Sequence, residues 1–252
     1  MPKSIHVPIV CLFVFINLIN FSFLPKVDTR KKISIPVLRY EDSVIIKPEA
    51  AEKKEETPDA YTIMNLEKKG LSKSVFELAV KGYNKLVKKR LVRNKKVITV
   101  IDFSKPSNQK RLYVIDLNKN KVLFQSLVAH GRNSGFEYAK DFSNEVDSHK
   151  SSLGFYVTGH TYSGEHGYAL KLKGCEKGFN HRAYDRAIVM HGSEYVTEQF
   201  LKSNGYLGRS FGCPALPEKI NKKIIDVIKN GSCLFLYHPT KKYLLTSPVL
   251  NG

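Results

Sequence analysis

Short runs of β-branched and aromatic residues recur along the chain from Val97 onward, and they constrain its fold more than any other feature. Runs of this kind, bounded by turn residues, are typical of β-strands. The predicted strands are residues 97–101, 112–117, 122–128, 154–159, 168–172, 187–191 and 233–237. Residues 118–121 have the composition of a hairpin turn, and residues 220–229 have helical periodicity. The sequence therefore predicts a mainly β domain of the α+β class with few helices.

One amphipathic helix is predicted ahead of these strands. Ser74 and Glu77 have the spacing of a capping box, and we expect the helix to end near Asn94. Apolar residues recur at helical intervals at Val75, Leu78, Ala79, Leu86 and Val87. Gly82 interrupts this helix at a cost of about 1 kcal/mol relative to alanine, which indicates close packing against a neighbouring element.

The composition limits the classes of protein that fit the chain. A length of 252 residues with 42% hydrophobic content allows one substantial core, with room for a second small domain. The formal net charge of +18 predicts attraction to polyanions. However, there is no zinc-finger spacing, RNA-binding aromatic motif or basic zipper, and lysines occur along the whole chain. We therefore predict no nucleic-acid partner; an anionic wall or membrane surface also fits the charge.

The first residues predict export from the cytoplasm. Lys3 is followed by an apolar stretch from Val7 to Leu24 and then by a basic, polar segment, which is the profile of a signal sequence. No small-x-small cleavage site follows, and the stretch is near the lower length limit for a bilayer span. Cleavage and retention as an N-terminal membrane anchor both remain open. We expect a periplasmic or cell-envelope protein, either secreted or anchored.

Two short motifs carry the chemistry of the chain. Cys213 lies between Gly212 and Pro214, so a rigid turn is expected, with backbone N–H groups able to face an oxyanion. His191 lies at the end of an apolar strand, with Gly192 leaving room beside its ring, and is the candidate base for a cysteine nucleophile. These residues alone leave open that the cysteine is a small buried hydrophobe and the histidine a hydrogen-bonded core residue.

These motifs resemble the His-Gly and Ser-x-Gly-Cys signature of the YkuD-type L,D-transpeptidases, specifically the murein L,D-transpeptidase catalytic domain family. The resemblance covers roughly residues 61–240. Besides the two motifs, it includes the segments Gly70-Leu71-Ser72, Val128-Ala129-His130-Gly131, Phe142-Ser143-Asn144-Glu145, residues 151–159 and Gly208-Arg209-Ser210. A match of this length is much more specific than a single His-Gly pair.

The resemblance implies a YkuD-like β-sandwich or curved-sheet domain acting on peptidoglycan stem peptides, without a metal or other cofactor. It implies that Cys213 forms a thioester with the stem peptide, releases the terminal D-amino acid and transfers the acyl group to an amine. Water as acceptor would make the enzyme an L,D-carboxypeptidase. His191 would act as base and then as acid, while backbone N–H groups near Gly212 and Cys213 stabilise the oxyanion.

The resemblance also suggests roles for residues around the two motifs. Ser210 matches the motif serine and is expected to support the turn. Phe211 stands where histidine is common, and Pro214-Ala215 replaces an aliphatic residue and a carboxylate-binding arginine. Arg209 or Arg132 would supply the lost charge, although a solvent-facing ion pair is the competing interpretation of Arg209. His160 and Tyr162 lie in a family-like loop expected to flank the cleft.

Together with the composition along the chain, the resemblance predicts five segments. The expected segments are a signal peptide or anchor (1–24), a flexible linker (25–60), a helical lead-in (61–95), the catalytic domain (96–240) and a tail (241–252). The linker contains prolines and charge runs but no sustained apolar period.

Two other functions and one crosslink remain alternatives. A protein of the same fold that binds the wall without turnover would fit the basic charge and the altered residues after Cys213. A zinc peptidase would draw on His130, His149, His160, His166, His181, Asp141 and Asp147, but these residues have no recognised ligand spacing. Cys175 and Cys233 would be able to pair as a disulfide in an oxidising compartment, which leaves Cys213 as a free thiol.

Overall fold

The computed structural model describes residues 59–165 and 167–252, so the predicted signal segment and nearly all of the predicted linker lie outside the described residues. Within that described part, no helix combines the length and the apolar character that a bilayer crossing requires.

The described residues build one eight-stranded sheet in the order β3-β2-β1-β8-β4-β5-β6-β7. The strands are β1 (Val97–Asp102), β2 (Leu112–Asp116), β3 (Lys121–Ser126), β4 (Gly154–Gly164), β5 (Gly167–Gly174), β6 (Val189–Ser193), β7 (Ala215–Pro217) and β8 (Cys233–Tyr237). Neighbouring strands are antiparallel except for the pairs β1–β8 and β6–β7. Just beyond β3, Ala129 bridges to Ala215 of β7, so the two edges of a curved sheet nearly meet. The predicted mainly β fold is confirmed, in its curved-sheet form.

The helices are short apart from two. They are α1 (Ala60–Ile63), α2 (Lys73–Lys88), α3 (Glu198–Asn204), α4 (Glu218–Ile228), α5 (Lys241–Thr246) and α6 (Pro248–Asn251), with a 3₁₀ turn at Arg132–Ser134. The apolar faces of α2 and α4 pack on the sheet and bury residues such as Leu86 and Ile225.

The bounds of α2 correct the capping prediction. The hydroxyl of Ser72, not that of Ser74, caps the helix by accepting a hydrogen bond from the N–H of Val75. The helix ends at Lys88 and does not continue to Asn94, because Arg90 has a left-handed backbone with φ of 59°. The close packing predicted at Gly82 is confirmed: a Cβ at that position would lie 2.0 Å from the ring of Phe155.

The strands nearest the two motifs also differ from their predicted bounds. Strand β6 begins at Val189 and not at residue 187, because Ala187 has a φ of 50°, outside the extended region. Strand β7 was not predicted. It has only three residues and includes Pro217, so its sequence carries no strand periodicity, and pairing with β6 defines it.

Residues 241–252, which were predicted as a separate tail, pack on the domain. Tyr243, Val249 and Leu250 are buried, and the buried carboxylate of Glu176 accepts hydrogen bonds from the hydroxyls of Tyr243 (3.0 Å) and Ser247. Burial raises the pKa of Glu176, while these donors favour its charged form. The segment therefore belongs to the folded domain.

Candidate active site

The turn that carries Cys213 is held by its own serine. The Ser210 hydroxyl donates to the carbonyl of Cys213 at 2.6 Å and accepts from the N–H of Gly212 at 3.0 Å. Gly212 has a φ of 122°, a conformation that a residue with a side chain rarely adopts. Ser210 thus closes the turn around the cysteine. The N–H of Gly212 is consequently already used, which removes it as the oxyanion donor expected from the sequence.

A neighbouring segment fixes the turn against the sheet. The Arg132 N–H donates to the Ser210 carbonyl at 2.7 Å, and the Ser210 N–H donates to the His130 carbonyl at 3.0 Å. The buried hydroxyl of Ser151 accepts from the Gly131 N–H and donates to the Gly212 carbonyl at 3.2 Å. These bonds make the backbone around Cys213 rigid.

The Cys213 sulfur is partly buried and has two backbone neighbours. The N–H of Val189 donates to Sγ at 3.4 Å, and the thiol lies 3.8 Å from the carbonyl oxygen of Ala187. Burial raises the pKa of Cys213, while the Val189 N–H and the charge of Arg186 act in the opposite direction. At neutral pH the thiol therefore needs a base to become a nucleophile.

His191 lies on β6 beside the strand that follows the cysteine turn. It pairs in register with Ala215 of β7, two residues beyond Cys213. Its Nδ1 lies 2.9 Å from the Gly192 carbonyl oxygen, which only accepts, so Nδ1 carries the proton of the neutral ring. This tautomer leaves Nε2 as the basic nitrogen. The absent side chain of Gly192 makes space for Asn221 of α4, 3.2 Å from a Cβ built there, and not for the imidazole ring.

One cavity of about 530 Å³ collects most of the predicted residues. Its lining includes Cys213, His191, Ser210, Arg209 and Tyr162. The thiol and the imidazole therefore open onto the same space, which a peptide segment is able to enter.

His160 and Arg132 lie outside the lining of that cavity. His160 lines a separate cavity of about 720 Å³, together with Arg90, Arg93 and Lys173. A β-bulge between Thr158 and Thr161 breaks the alternation of side chains along β4. His160 therefore does not line the cavity that Tyr162 lines.

Arg132 contacts the site indirectly. Its guanidinium lies 5.7 Å from the ring centroid of Phe211, which also packs on His149 with centroids 4.5 Å apart. Phe211 lines the cavity and is 63% exposed.

Arg209 packs against two aromatic rings. Its guanidinium carbon lies 4.3 Å from the Phe136 ring centroid and 5.5 Å from that of Tyr206, and Nη1 donates to the Gly135 carbonyl at 3.3 Å. It pairs with no carboxylate in the described part of the chain, which disfavours the ion-pair interpretation. Within the described residues, no carboxylate therefore neutralises this guanidinium, which lines the cavity.

Three residues of the lining that carry polar or charged side chains were not predicted from the sequence: Arg186, Tyr195 and Glu165. Arg186 and Tyr195 lie close to His191 in the chain, but no periodicity or motif distinguishes them from other polar residues. Their place at the site depends on how the loops around β6 fold.

His130, one of the histidines of the zinc alternative, already has hydrogen-bond partners. Nδ1 of the buried His130 accepts from Arg111, which only donates, at 2.8 Å, and Nε2 lies 3.3 Å from the Gly135 carbonyl oxygen. Burial and the charge of Arg111 lower the pKa of His130 to about 3. Among the described residues, no group of three or more His, Cys, Asp and Glu side chains is placed to hold a metal ion. Cys175 and Cys233 are free thiols, so the disulfide considered from the sequence is not formed.

The fold and this cavity define a class of protein: a mainly β domain that presents a cysteine thiol and a histidine to one cleft. The sequence matches the family model described as L,D-transpeptidase catalytic domain over residues 67–237. The chain therefore belongs to the L,D-transpeptidase catalytic domain family, and the resemblance noted in the sequence is confirmed.

Solved structures also resemble the chain, at low identity. An L,D-transpeptidase from Mycobacterium smegmatis is 13% identical, with 57% of this chain and 59% of that chain covered and a TM-score of 0.35. The helical cell shape determining protein Pgp2 from Campylobacter jejuni is 15% identical, with 58% and 49% covered and a TM-score of 0.38. The chain thus spans about half to three-fifths of the length of these structures. No curated protein matches the sequence.

Proposed function

We propose that this chain is a peptidoglycan L,D-transpeptidase that forms a thioester between Cys213 and a stem peptide. The family supports peptidoglycan as the substrate. The observation that carries the proposal is the shared cavity, in which Cys213 and His191 both line the space that a peptide would occupy.

The proposed reaction begins with proton transfer from the thiol to Nε2 of His191. The sulfur attacks the carbonyl carbon that precedes the terminal D-amino acid, and the imidazolium then protonates the leaving amine. An acceptor amine next attacks the thioester, gives its proton to the imidazole and regenerates the thiol. The Gly192 carbonyl, bound to Nδ1, keeps the ring in the required tautomer throughout.

The oxyanion of each tetrahedral intermediate needs backbone donors. The N–H of Gly212 is bound to Ser210, so we assign this role to the N–H of Cys213, which donates to no acceptor in the described part of the chain. The rigid turn would hold this donor in place before the reaction, so that no reorganisation is needed as the charge develops.

Arg209 is the proposed binding group for a substrate carboxylate. Its guanidinium forms no ion pair within the described residues, lines the cavity and packs on Phe136 and Tyr206. A planar guanidinium of this kind binds carboxylates through two parallel hydrogen bonds. Arg132 lies outside the cavity lining, so its proposed contribution is to orient Phe211.

Export to the cell envelope is part of the same proposal. The apolar stretch from Val7 to Leu24 supports it, and so does a substrate that lies outside the cytoplasm. Retention of this stretch would tether the domain to the membrane, next to the wall it acts on.

Replacement of the nucleophile tests the proposed activity. We expect Cys213→Ala to reduce release of the terminal D-amino acid from a tetrapeptide muropeptide to background, because no other thiol lines the described cavity. Cys175→Ala is the matched control, since Cys175 lines a different cavity, and should leave release unchanged.

Product analysis of the same reactions separates the alternatives. A crosslinked dimer indicates transfer to an amine, and a shortened stem peptide alone indicates an L,D-carboxypeptidase. Binding to isolated walls without any product would favour the non-catalytic alternative. Turnover by Cys213→Ala equal to that of the natural chain would exclude the mechanism.

A further inference from the structure

We propose that Arg186 is a positioning residue that activates Cys213, by presenting to its sulfur a positive charge that no carboxylate neutralises. The inference rests on the proposed function, because it assigns a partner to the same nucleophile. It adds a residue that neither sequence motif contains.

The guanidinium of Arg186 lies against the cysteine turn. Its Nη2 is 3.1 Å from the position that a Cβ on Gly212 would occupy, directly before Cys213 in the chain. Arg186 also precedes Ala187, whose carbonyl oxygen lies 3.8 Å from the thiol, and it lines the same cavity. The charge is therefore close to the sulfur, on the side of the loop that leads into β6.

The hydrogen-bond partners of Arg186 are all neutral. Nη1 donates to the Ser143 carbonyl at 2.8 Å and to the Ser152 hydroxyl, and Nη2 donates to the Lys150 carbonyl at 2.6 Å and the Ser148 hydroxyl at 3.2 Å. These four acceptors hold the guanidinium in one orientation while leaving its charge uncompensated.

The nearby acidic group is already paired. Glu145 forms a 2.7 Å ion pair with Arg182, and Arg186 has no ion pair with any carboxylate of the described residues. A half-buried cation without a counter-ion is unfavourable unless an anion forms beside it. The thiolate of Cys213 is such an anion.

The other titratable groups around the sulfur do not take this role. Those that line the cavity are Tyr162 and Glu165 from the β4–β5 hairpin, His191 and Tyr195 from β6 and the loop after it, and Arg209 before the turn. Beneath the site, the buried Tyr156 also faces Arg186. Arg209 packs on Phe136 and Tyr206, whereas the guanidinium of Arg186 lies against Gly212, next to Cys213, and is the cation whose charge acts on the thiol.

A purely structural role is the competing interpretation. Arg186 fastens the loop from Ser143 to Ser152, and Ser151 of that loop holds the Gly212 carbonyl. Loss of this clamp would loosen the turn without any change in the charge at the sulfur. The two interpretations differ in how easily the thiol loses its proton.

The test is the pH dependence of Cys213 alkylation by iodoacetamide, followed by mass spectrometry of the peptide that contains Cys213. Alkylation needs no peptidoglycan, so its outcome is independent of whether the chain is a transpeptidase. We expect Arg186→Gln to raise the midpoint by about one pH unit, as loss of a nearby opposite charge does. Arg186→Lys keeps the charge and should stay near the natural midpoint. Lys177→Gln, which removes an exposed cation outside the lining of the cavity, is the control and should change nothing.

A second pair of variants keeps Arg186 itself. Ser148→Asp places a carboxylate where the Ser148 hydroxyl accepts from Nη2, so it should neutralise the guanidinium and raise the midpoint of alkylation. Ser148→Asn introduces a side chain of the same shape as aspartate but without its charge, and should leave the midpoint unchanged. This pair decides the question if Arg186→Gln does not fold. An unchanged midpoint in Arg186→Gln or in Ser148→Asp, or a midpoint in Arg186→Lys as high as in Arg186→Gln, would overturn the proposal.

Discussion

His191 enters the proposed reaction as a neutral ring whose basic nitrogen is Nε2, because Nδ1 is held by the Gly192 carbonyl. The Cys213 thiol cannot supply its own thiolate at neutral pH, since burial raises its pKa above the ordinary value of 9.0. Acylation of Cys213 at neutral pH should therefore depend on His191 as the base, and the pH dependence of the acylation rate should show it.

We expect His191→Ala to slow acylation of Cys213 at neutral pH by about 10²- to 10⁴-fold, the usual contribution of a positioned base. The remaining rate should rise with pH until the thiol itself ionises, on the alkaline side of neutrality. The measurement is the single-turnover acylation rate as a function of pH. A neutral rate equal to that of the natural chain, or a loss that high pH does not recover, would contradict the assignment.

His130 is a second histidine whose hydrogen bonds the structure defines. Its folded pKa is about 3, against 6.5 for an ordinary histidine, because the site is buried and Arg111 lies beside it. Between these two values the unfolded chain binds a proton that the folded chain does not. Protonation of His130 in the unfolded chain therefore has no effect on stability above pH 6.5. It lowers the free energy of unfolding progressively as the pH falls from 6.5 towards 3.

Replacement of His130 should weaken the acid dependence of stability. We expect the unfolding free energy of His130→Asn, measured by urea titration, to decrease less steeply between about pH 6.5 and pH 3 than that of the natural chain. Asparagine keeps an acceptor for Arg111 without a titrating group. Equal slopes for the two proteins would show that His130 titrates normally in the folded state.

At the scale of elements, helix α2 packs closely on the sheet at a glycine, Gly82. Gly82 faces Phe155, which stacks on Phe235 of β8 at 4.1 Å between ring centroids. This contact couples the helix that precedes the domain to the centre of the sheet, and it leaves no room for a methyl group.

We expect Gly82→Ala to destabilise the domain by up to about 2 kcal/mol, because overpacking costs about 1–3 kcal/mol and the helix propensity of alanine offsets ~1 kcal/mol of it. Urea unfolding measures this difference. Asn84→Ala, at an exposed position of the same helix, is the matched control and should be neutral or slightly stabilising. Stabilisation by Gly82→Ala would mean that α2 does not pack on Phe155 as described.

The elements also show what the sequence allowed to be predicted. Runs such as 97–101 and 233–237 form strands because β-branched and aromatic side chains fill both faces of a buried sheet. Strand β7 was missed because three residues ending in proline become a strand only through their neighbour β6. The start of β6 was misplaced because only the three-dimensional structure reveals the left-handed backbone of Ala187.

The same limit applies to the site. The turn residues Ser210 to Cys213 were identifiable because a short local motif encodes them. By contrast, Arg186 depends on the 143–152 loop for its hydrogen bonds, and the position of His160 depends on a β-bulge. Local sequence therefore predicts the reacting groups, while long-range folding determines which charges surround them.

At the scale of the whole molecule, a near-closed sheet joins the two motifs. Ala215 of β7 pairs with His191 on one side and with Ala129 on the other, so the cysteine turn is fixed from both edges. The packed α5 and α6 extend this single domain to the end of the chain. The turn, the base and the surrounding charges therefore lie on one connected framework.

The most direct test of the Cys213 thioester is the intact mass of the protein after acid quenching during turnover of a purified tetrapeptide muropeptide. We expect a mass increase equal to the acyl group left after loss of the terminal D-amino acid, located on Cys213 and missing in Cys213→Ala. An adduct on another residue, or substrate consumption with no adduct at Cys213, would contradict it.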